Sequence, residues 1–157
     1  MPVLAKDAIW DAMADALDVR TPEQRRSALK GTFAVYYLIM RQLLEAGVGL
    51  IAEHNFRRGI AEPELEPCLL LSRALIVHCQ TSMEVSASRF IQRYHRGERH
   101  RASFDEERIP LLLAGEVPDS WQTAEPLDLG VPVLRVDTTN EYAPSFEEIT
   151  AFICSGA

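Results

Sequence analysis

Apolar residues follow two patterns along the chain, one with helical spacing and one of short continuous runs. Helical spacing appears first at Ile9, Trp10, Met13 and Leu17, which predicts a helix over 8–17. Short apolar runs are typical of strands that are buried on both faces of a parallel sheet. The segments that predict strands in this way are 3–4, 48–52, 74–79 and 131–137.

Capping residues mark the helix boundaries. The segment 21–24 (Thr-Pro-Glu-Gln) combines a capping box with proline at the first helical position. The helix that it opens is predicted to end at about residue 46, where Gly47 supplies a left-handed terminus. Ser145 with Glu148 predicts a closing helix over 145–153. The remaining predicted helices cover 62–72, the residues after Ser82, and 105–114, with loops at 97–103 and 117–130.

Strands that alternate with helices form βαβ units, so the predicted fold class is α/β with a three-layer, mainly parallel sheet flanked by helices. The length of 157 residues fits one domain. No apolar stretch is long enough to cross a membrane, and no secretory signal opens the chain. We therefore expect a cytoplasmic protein with no membrane partner.

The charge balance is acidic, with 16 lysines and arginines against 23 aspartates and glutamates and a net charge of −7. This balance argues against nucleic acid as a partner. Six arginines nevertheless fall within 89–108, together with His95 and His100. A cationic cluster of this kind in an acidic chain suggests a local binding role.

The cysteines are odd in number and widely spaced, with no C-x-x-C motif. We expect reduced, mostly buried thiols. A metal site formed by Cys68, His78 and Cys79 is disfavoured, because neighbouring residues of a strand point to opposite faces.

Polar residues follow each predicted strand. Asp7 follows the first strand, and Glu53 opens a polar stretch that reaches Arg58 after the second. Segments 80–81 (Gln-Thr) and 137–139 (Asp-Thr-Thr) follow the third and fourth. Ligands of open α/β sheets bind outside the carboxyl ends of the strands, so these four ends predict a binding site. The alternative is that polar residues simply begin loops, and that Asp7 caps the helix after it.

These segments, in this order, resemble the P-loop kinase group described as AAA-type ATP-binding, or zeta-toxin and chloramphenicol-phosphotransferase-like, proteins. The resemblance covers residues 2–153. Residues 2–9 resemble the second strand of the family, and 49–58 its acidic strand end with a substrate-side arginine. The sequence RFIQRYHRGERH at 89–100 resembles the arginine-bearing lid helix, and 136–139 the last strand.

The resemblance implies an ATP-dependent phosphotransferase, a kinase, that uses Mg²⁺ and acts on a small hydroxyl-bearing molecule. Such catalysis relies on positioning and charge neutralisation. Asp7 would orient the acceptor hydroxyl or take its proton, and Glu53 would hold Mg²⁺ directly or through water. The arginines expected to bind substrate and phosphates are Arg58, Arg89, Arg93 and Arg96. The last three share one helix face in a lid-like segment at about 86–108, for which a solvated face paired with glutamates is the alternative.

The phosphate-binding loop of the family, G-x-x-x-x-G-K-[S/T], has no counterpart here, since no Gly-Lys pair occurs in the sequence. The family places a strand, that loop and a helix before the counterpart of residue 2. The resemblance therefore implies a single truncated domain over 1–157 that does not bind ATP and Mg²⁺ by itself and is inactive as given. The alternatives are a non-catalytic binding or regulatory remnant, and an interaction protein that uses its arginine-rich face.

In the family, the absent strand lies between the strand that ends at Glu53 and the one that ends near Cys79. Without it, segments 48–52 and 74–79 must pair directly, recruit a second copy, or leave the chain unstable. We expect self-association through the exposed sheet edge. A small-molecule substrate is the other expected partner.

Overall fold

The computed structural model describes residues 1–116, 121 and 125–156, in which short strands alternate with α-helices. In chain order the elements are β1 (Val3–Ala5), α1 (Lys6–Ala16), α2 (Pro22–Glu45), β2 (Ile51–Glu53), α3 (Glu62–Leu69), β3 (Ile76–Gln80), α4 (Met83–His95), the 3-10 helices Arg101–Ser103 and Asp105–Glu107, α5 (Arg108–Leu113), β4 (Val133–Asp137) and α6 (Phe146–Ser155). The predicted mixed α/β class is confirmed. The three-layer arrangement stays a prediction.

The four strands form two separate two-stranded sheets, and both are parallel. In the β1–β2 sheet, Ala5 lies opposite Glu53. In the β3–β4 sheet, Gln80 lies opposite Asp137. In each pair the carboxyl ends of both strands therefore meet at one edge. Among the described strands, the direct pairing of 48–52 with 74–79 is not formed.

The chain divides into two compact units. Unit 1 consists of Met1–Phe56, Pro63–Ser72 and Arg99–Asp105, and unit 2 of Arg57–Glu62, Arg73–Glu98 and Glu106–Ala157. The lid-like segment predicted at about 86–108 is thus shared between the units. The single domain over 1–157 stays a prediction.

The core of unit 1 lies between α1, α2 and the segment Arg99–Asp105. The predicted capping box is present, since Thr21 accepts the Gln24 backbone N–H and the Gln24 side chain accepts the Thr21 N–H. Gly47 has the expected left-handed conformation, with φ of 73°. The buried side chains of this core are those of Trp10, Ala14, Val19, Ala28 and Ala102, with Leu29 and Phe104 packed against them.

In unit 2, helix starts follow the sequence closely. Ser82 caps α4 by accepting the Val85 N–H. Ser145 and Glu148 form the predicted capping box of α6. Of the predicted connection over 117–130, residues 117–120 and 122–124 lie outside the described part.

Several expectations about burial and capping are wrong. Ile51 in β2 is 49% exposed, although its apolar run predicted a strand buried on both faces. Cys68 is buried as expected, but Cys79 and Cys154 are exposed, and all three thiols are free. Asp7 does not cap α1, because the helix begins at Lys6, two residues earlier than predicted, with Ala5 at the cap position. For Ile51 and Cys79 the two-stranded sheets explain the exposure, since each sheet leaves strand surface uncovered, whereas Cys154 lies on helix α6.

No helix in the described part of the chain is long and apolar enough to cross a lipid bilayer.

Candidate functional site

Two carboxylates lie at the carboxyl edge of the β1–β2 sheet in unit 1. Glu53 ends β2 directly opposite Ala5. Helix α1 begins immediately after Ala5, so Asp7 lies in its first turn. The parallel register therefore brings Asp7 and Glu53, both predicted from the sequence, to the same edge of the sheet. Both residues are exposed, so they are accessible to a ligand.

The surroundings of Asp7 favour its ionised form. Partial burial opposes ionisation, but a hydrogen bond and ion pair with Lys6, together with the charges of Arg99 and His54, outweigh it and lower the pKa of Asp7. Its place in the first turn of a helix acts in the same direction. A carboxylate with a lowered pKa is a weak base, so Asp7 is better suited to orient a hydroxyl group than to remove its proton.

An aromatic cluster supports the backbone beside Glu53. The ring of His54 packs against Phe33, Tyr36 and Phe56, with ring centroids 5.4, 5.9 and 4.9 Å apart. The hydroxyl of the fully buried Tyr36 donates a hydrogen bond to the Glu53 carbonyl at 3.4 Å. Burial raises the pKa of Tyr36, so its hydroxyl remains a donor. These contacts hold the end of β2 in place.

Arg99 is a charged residue of unit 1 that the sequence analysis did not select. Its Nε donates to the Asp105 carboxylate at 2.7 Å, and the Asp105 side chain is only 2% exposed. The arginine-rich sequence around position 99 was visible, but nothing in it distinguishes Arg99 from its neighbours. What distinguishes Arg99 is the burial of its partner Asp105, which is a property of the folded chain and cannot be read from the sequence.

In unit 2, Arg89 donates hydrogen bonds to the backbone at the carboxyl edge of the β3–β4 sheet. Its guanidinium donates to the carbonyl of Thr138 at 2.5 Å, to the carbonyl of Thr139 at 3.2 Å and to the Thr138 hydroxyl at 3.3 Å. The Thr138 backbone N–H donates to the Gln80 carbonyl at 2.8 Å, which extends the ladder beyond both strands. Arg89 is thus held at a strand end by main-chain oxygens, and its expected role in binding substrate or phosphate stays a prediction.

A groove of about 590 Å³ opens beside Arg89, between the end of β4 and the start of α6. Its exposed aromatic side chains are Tyr142 and Phe146, and Asn140 and Glu141 add polar groups. These four residues were not predicted from the sequence. Their position after a strand end and before a capping box is the signal that could have identified them.

The other predicted arginines of unit 2 lie in two different surroundings. Arg93 lies on α4 and Arg96 at its C-terminal cap, and both are exposed and face Glu98, at 4.0 and 3.7 Å. Arg58 lies in a turn after β2 and pairs with Asp128 at 3.0 Å. The structure therefore keeps Arg93 and Arg96 together as predicted, whereas Arg58 belongs to a separate set of contacts.

Glu62 organises that separate set. Its buried carboxylate accepts the Gly59 N–H at 2.7 Å and the Asp128 N–H at 3.2 Å. Burial opposes ionisation of Glu62, but hydrogen bonds from backbone N–H groups and the charge of Arg58 outweigh it and lower the pKa. Glu62 thus ties the turn that carries Arg58 to the segment of Asp128.

The described residues contain no group of three or more His, Cys, Asp and Glu side chains arranged to hold a metal ion. Mg²⁺ is usually bound by one or two carboxylates, waters and substrate phosphates. Glu53, exposed at a strand end with Asp7 at the same edge, fits that donor set.

One solved structure resembles the whole chain. It is the crystal structure, at 1.70 Å resolution, of a "putative kinase" from Chloroflexus aurantiacus J-10-fl. The TM-score is 0.79 with 25% sequence identity, and the match covers 100% of this chain and 84% of that chain. No family model matches this sequence, and no curated protein does. The chain therefore has a kinase-like fold, which suggests a phosphotransferase-like function.

Proposed function

We propose that this chain is an ATP-binding, kinase-like phosphotransferase domain that acts on a small hydroxyl-bearing molecule. The observation that carries the proposal is the register of the β1–β2 sheet, which places Asp7 and Glu53 at one carboxyl edge in a chain that resembles a kinase throughout its length. That edge is where α/β folds bind their ligands. Catalysis of phosphoryl transfer needs positioned charges there.

Each carboxylate has a separate role in this proposal. Asp7, kept ionised by its cationic neighbours, orients the acceptor hydroxyl. Glu53 would bind Mg²⁺, which would neutralise phosphate charge when present. The aromatic cluster around His54 keeps the Glu53 backbone in place while the exposed side chain is free to meet the ion.

The groove beside Arg89 is proposed to receive the nucleotide base. Tyr142 and Phe146 are exposed rings on which a planar heterocycle could stack, and Asn140 offers both donors and acceptors to a base edge. Arg93 and Arg96 would meet phosphate groups, because their pairing with an exposed glutamate at 3.7–4.0 Å is weak and exchangeable.

A non-catalytic binding domain is the second candidate function. The absence of any Gly-Lys pair favours it, since the glycine amides and lysine of a phosphate loop supply most contacts to ATP. The third reading, an interaction protein with a free arginine-rich face, is less favoured. Arg89, Arg99 and Arg101 already bind groups within the chain.

The first test is calorimetric titration of this chain with Mg-ATP. We expect weak binding or none, because the groove and the arginines act without a phosphate loop. A dissociation constant in the low micromolar range would show that the chain holds ATP in another way. The Tyr142→Ala variant would then reveal whether the groove takes part.

The second test adds a phosphate-binding loop to the chain. A segment that carries a strand and G-x-x-x-x-G-K-[S/T] is joined before residue 1, and transfer of labelled phosphate from ATP to a panel of hydroxyl compounds is measured. Asp7→Asn and Glu53→Gln keep side-chain size, and each should reduce turnover by about 10²-fold or more. Wild-type rates in both variants would show that neither carboxylate takes part in catalysis and would contradict the roles proposed for Asp7 and Glu53.

A further inference from the structure

A second cavity, of about 250 Å³, opens in unit 1 between α2 and α3. On α2 it is lined by Ala34, Tyr37, Leu38 and Arg41, whose spacing of three and four residues places them on one face of the helix. The cavity is smaller than the roughly 300–1,000 Å³ that is typical of sites for drug-sized ligands. Its size therefore suits a small molecule.

This cavity lies on the side of α2 that faces away from the β1–β2 sheet. The buried residues of α2 include Thr32, Tyr36 and Met40, and the Tyr36 hydroxyl donates to the carbonyl of Glu53 in β2. With 3.6 residues per turn, Leu38 lies about 200° around the helix from Tyr36. The cavity is therefore distinct from the carboxyl edge of that sheet, and the proposed phosphotransferase activity does not use it.

The inner wall of the cavity is uncharged. Helix α3 contributes Pro67 and the thiol of Cys68, which is 5% exposed. Burial raises the pKa of this thiol, although the positive charge of Arg41 opposes the effect, so the thiol stays protonated at neutral pH. Together with Ala34 and Leu38 on the facing helix, these groups form a surface that suits the hydrocarbon part of a ligand.

The two charged residues that line the cavity have opposite signs and lie on different helices. Arg41 belongs to α2 and Glu64 to α3, and both are exposed. Within the described part of the chain, neither forms an ion pair or a hydrogen bond, either with the other or with a third residue. Both charges are therefore available to a ligand that carries an anionic and a cationic group.

We propose that this cavity binds a free amino acid with an apolar side chain. The guanidinium of Arg41 binds the carboxylate of the ligand, a pairing for which its planar donors are well suited. Glu64 accepts hydrogen bonds from the ammonium group, and the side chain of the ligand packs against Leu38 and Pro67. A free amino acid fits better than a peptide, because only the free molecule carries both charges on one carbon atom.

The test is saturation-transfer NMR of the whole chain with a panel of L-alanine, L-valine, L-leucine and L-methionine, in the absence of ATP and metal ions. We expect saturable binding of at least one of them. The amine and the carboxylic acid that each lack one charge of that amino acid, isoamylamine and isocaproate in the case of leucine, should bind at least about tenfold more weakly.

Variants then show whether the cavity is the site. Arg41→Gln and Glu64→Gln each remove one charge at an exposed position, and each should weaken binding by about tenfold or more. The matched controls are Arg26→Gln in α2 and Glu66→Gln in α3, which are exposed residues outside the cavity and should leave binding unchanged. Ala34→Leu fills the cavity without changing a charge and should abolish binding.

Two results would overturn the proposal. One is the absence of saturable binding by every member of the panel, and the other is binding that both charge-removing variants leave unchanged while circular dichroism shows them folded. The readout involves no ATP, so this site can fail while the proposed phosphotransferase stands, and the reverse.

Discussion

Arginines on the two sides of Gly97 differ in what holds them. Before it, Arg93 and Arg96 of unit 2 are exposed and share the exposed Glu98 as a partner. After it, Arg99 of unit 1 is bound to a carboxylate that is 2% exposed. These three arginines belong to one cluster in the sequence, but their partners differ in burial. The burial of the partner, rather than the number of ion pairs, indicates which arginine belongs to the fold and which is available to a ligand.

The two sheet edges differ in a similar way. The β1–β2 edge carries the carboxylates Asp7 and Glu53. The β3–β4 edge carries hydroxyl groups, with Thr81 and Thr139 3.3 Å apart, and the guanidinium of Arg89. An edge of carboxylates suits a metal ion and a hydroxyl acceptor, whereas an edge of hydroxyls and a guanidinium suits a base and phosphates.

The largest expected effect is self-association of the chain, and it follows from the small number of strands in both sheets. Each has only two strands, and within the described part of the chain each strand has one partner. Two-stranded sheets are marginally stable and their open edges pair with other chains. We expect the chain to self-associate, which light scattering coupled to size exclusion would detect as a mass at least twice that of the monomer. A sharply melting monomer at high concentration would contradict this expectation.

The next largest effect separates the two kinds of ion pair. Asp105→Ala removes the partner of Arg99 within the unit 1 core, and we expect a loss of about 3–5 kcal/mol in the free energy of unfolding. Glu98→Ala removes the partner of Arg93 and Arg96 and should cost less than about 1 kcal/mol. Urea denaturation of both variants measures the difference. Equal losses would mean that burial of the partner does not distinguish the two groups.

A smaller effect is expected from Glu62, whose carboxylate links Gly59 to Asp128. Its folded-state pKa lies below the ordinary value of 4.5, so its contribution to stability is complete above that value and is lost as the pH falls through the folded pKa. Glu62→Gln should therefore cost roughly 1.5–3 kcal/mol at pH 7 and much less in acid. The exposed Glu64→Gln in the same helix is the control, and a loss that persists unchanged in acid would show that the charge is irrelevant.

Elements with a strong local signal were predictable from the sequence. The capping boxes at Thr21 and Ser145 and the left-handed Gly47 are present where their residue types predict them. The strands were less so, because 48–52 reads as a buried strand while the observed strand is Ile51–Glu53 with Ile51 exposed. An apolar run indicates that a segment favours a buried strand. Which strand it pairs with, and therefore which of its residues are covered, depends on segments that are distant in sequence.

In the candidate site, too, local sequence patterns predicted some residues but not those whose role depends on tertiary packing. Asp7 and Glu53 were predictable because each follows closely on an apolar run, and parallel pairing then brings them to one edge. Arg99 and Asp105 could not be found in this way. The burial of Asp105 arises from the packing of Ala102 and Phe104 on α1 and α2, which no local pattern encodes.

The smallest effect on stability, and the sharpest on binding, is expected at Arg93 and Arg96. Arg93 on α4 and Arg96 at its C-terminal cap are both exposed, so Arg93→Ala and Arg96→Ala should change the free energy of unfolding by roughly 0–1 kcal/mol. In the protein supplied with a phosphate loop, each should weaken binding of tripolyphosphate by up to about tenfold, or 1.4 kcal/mol. Arg26→Ala is the matched control, since Arg26 is an equally exposed helical arginine, paired with Glu23 in unit 1. If Arg93→Ala unfolds the protein and leaves anion binding intact, Arg93 belongs with Arg99 as a structural residue, and the division at Gly97 does not hold.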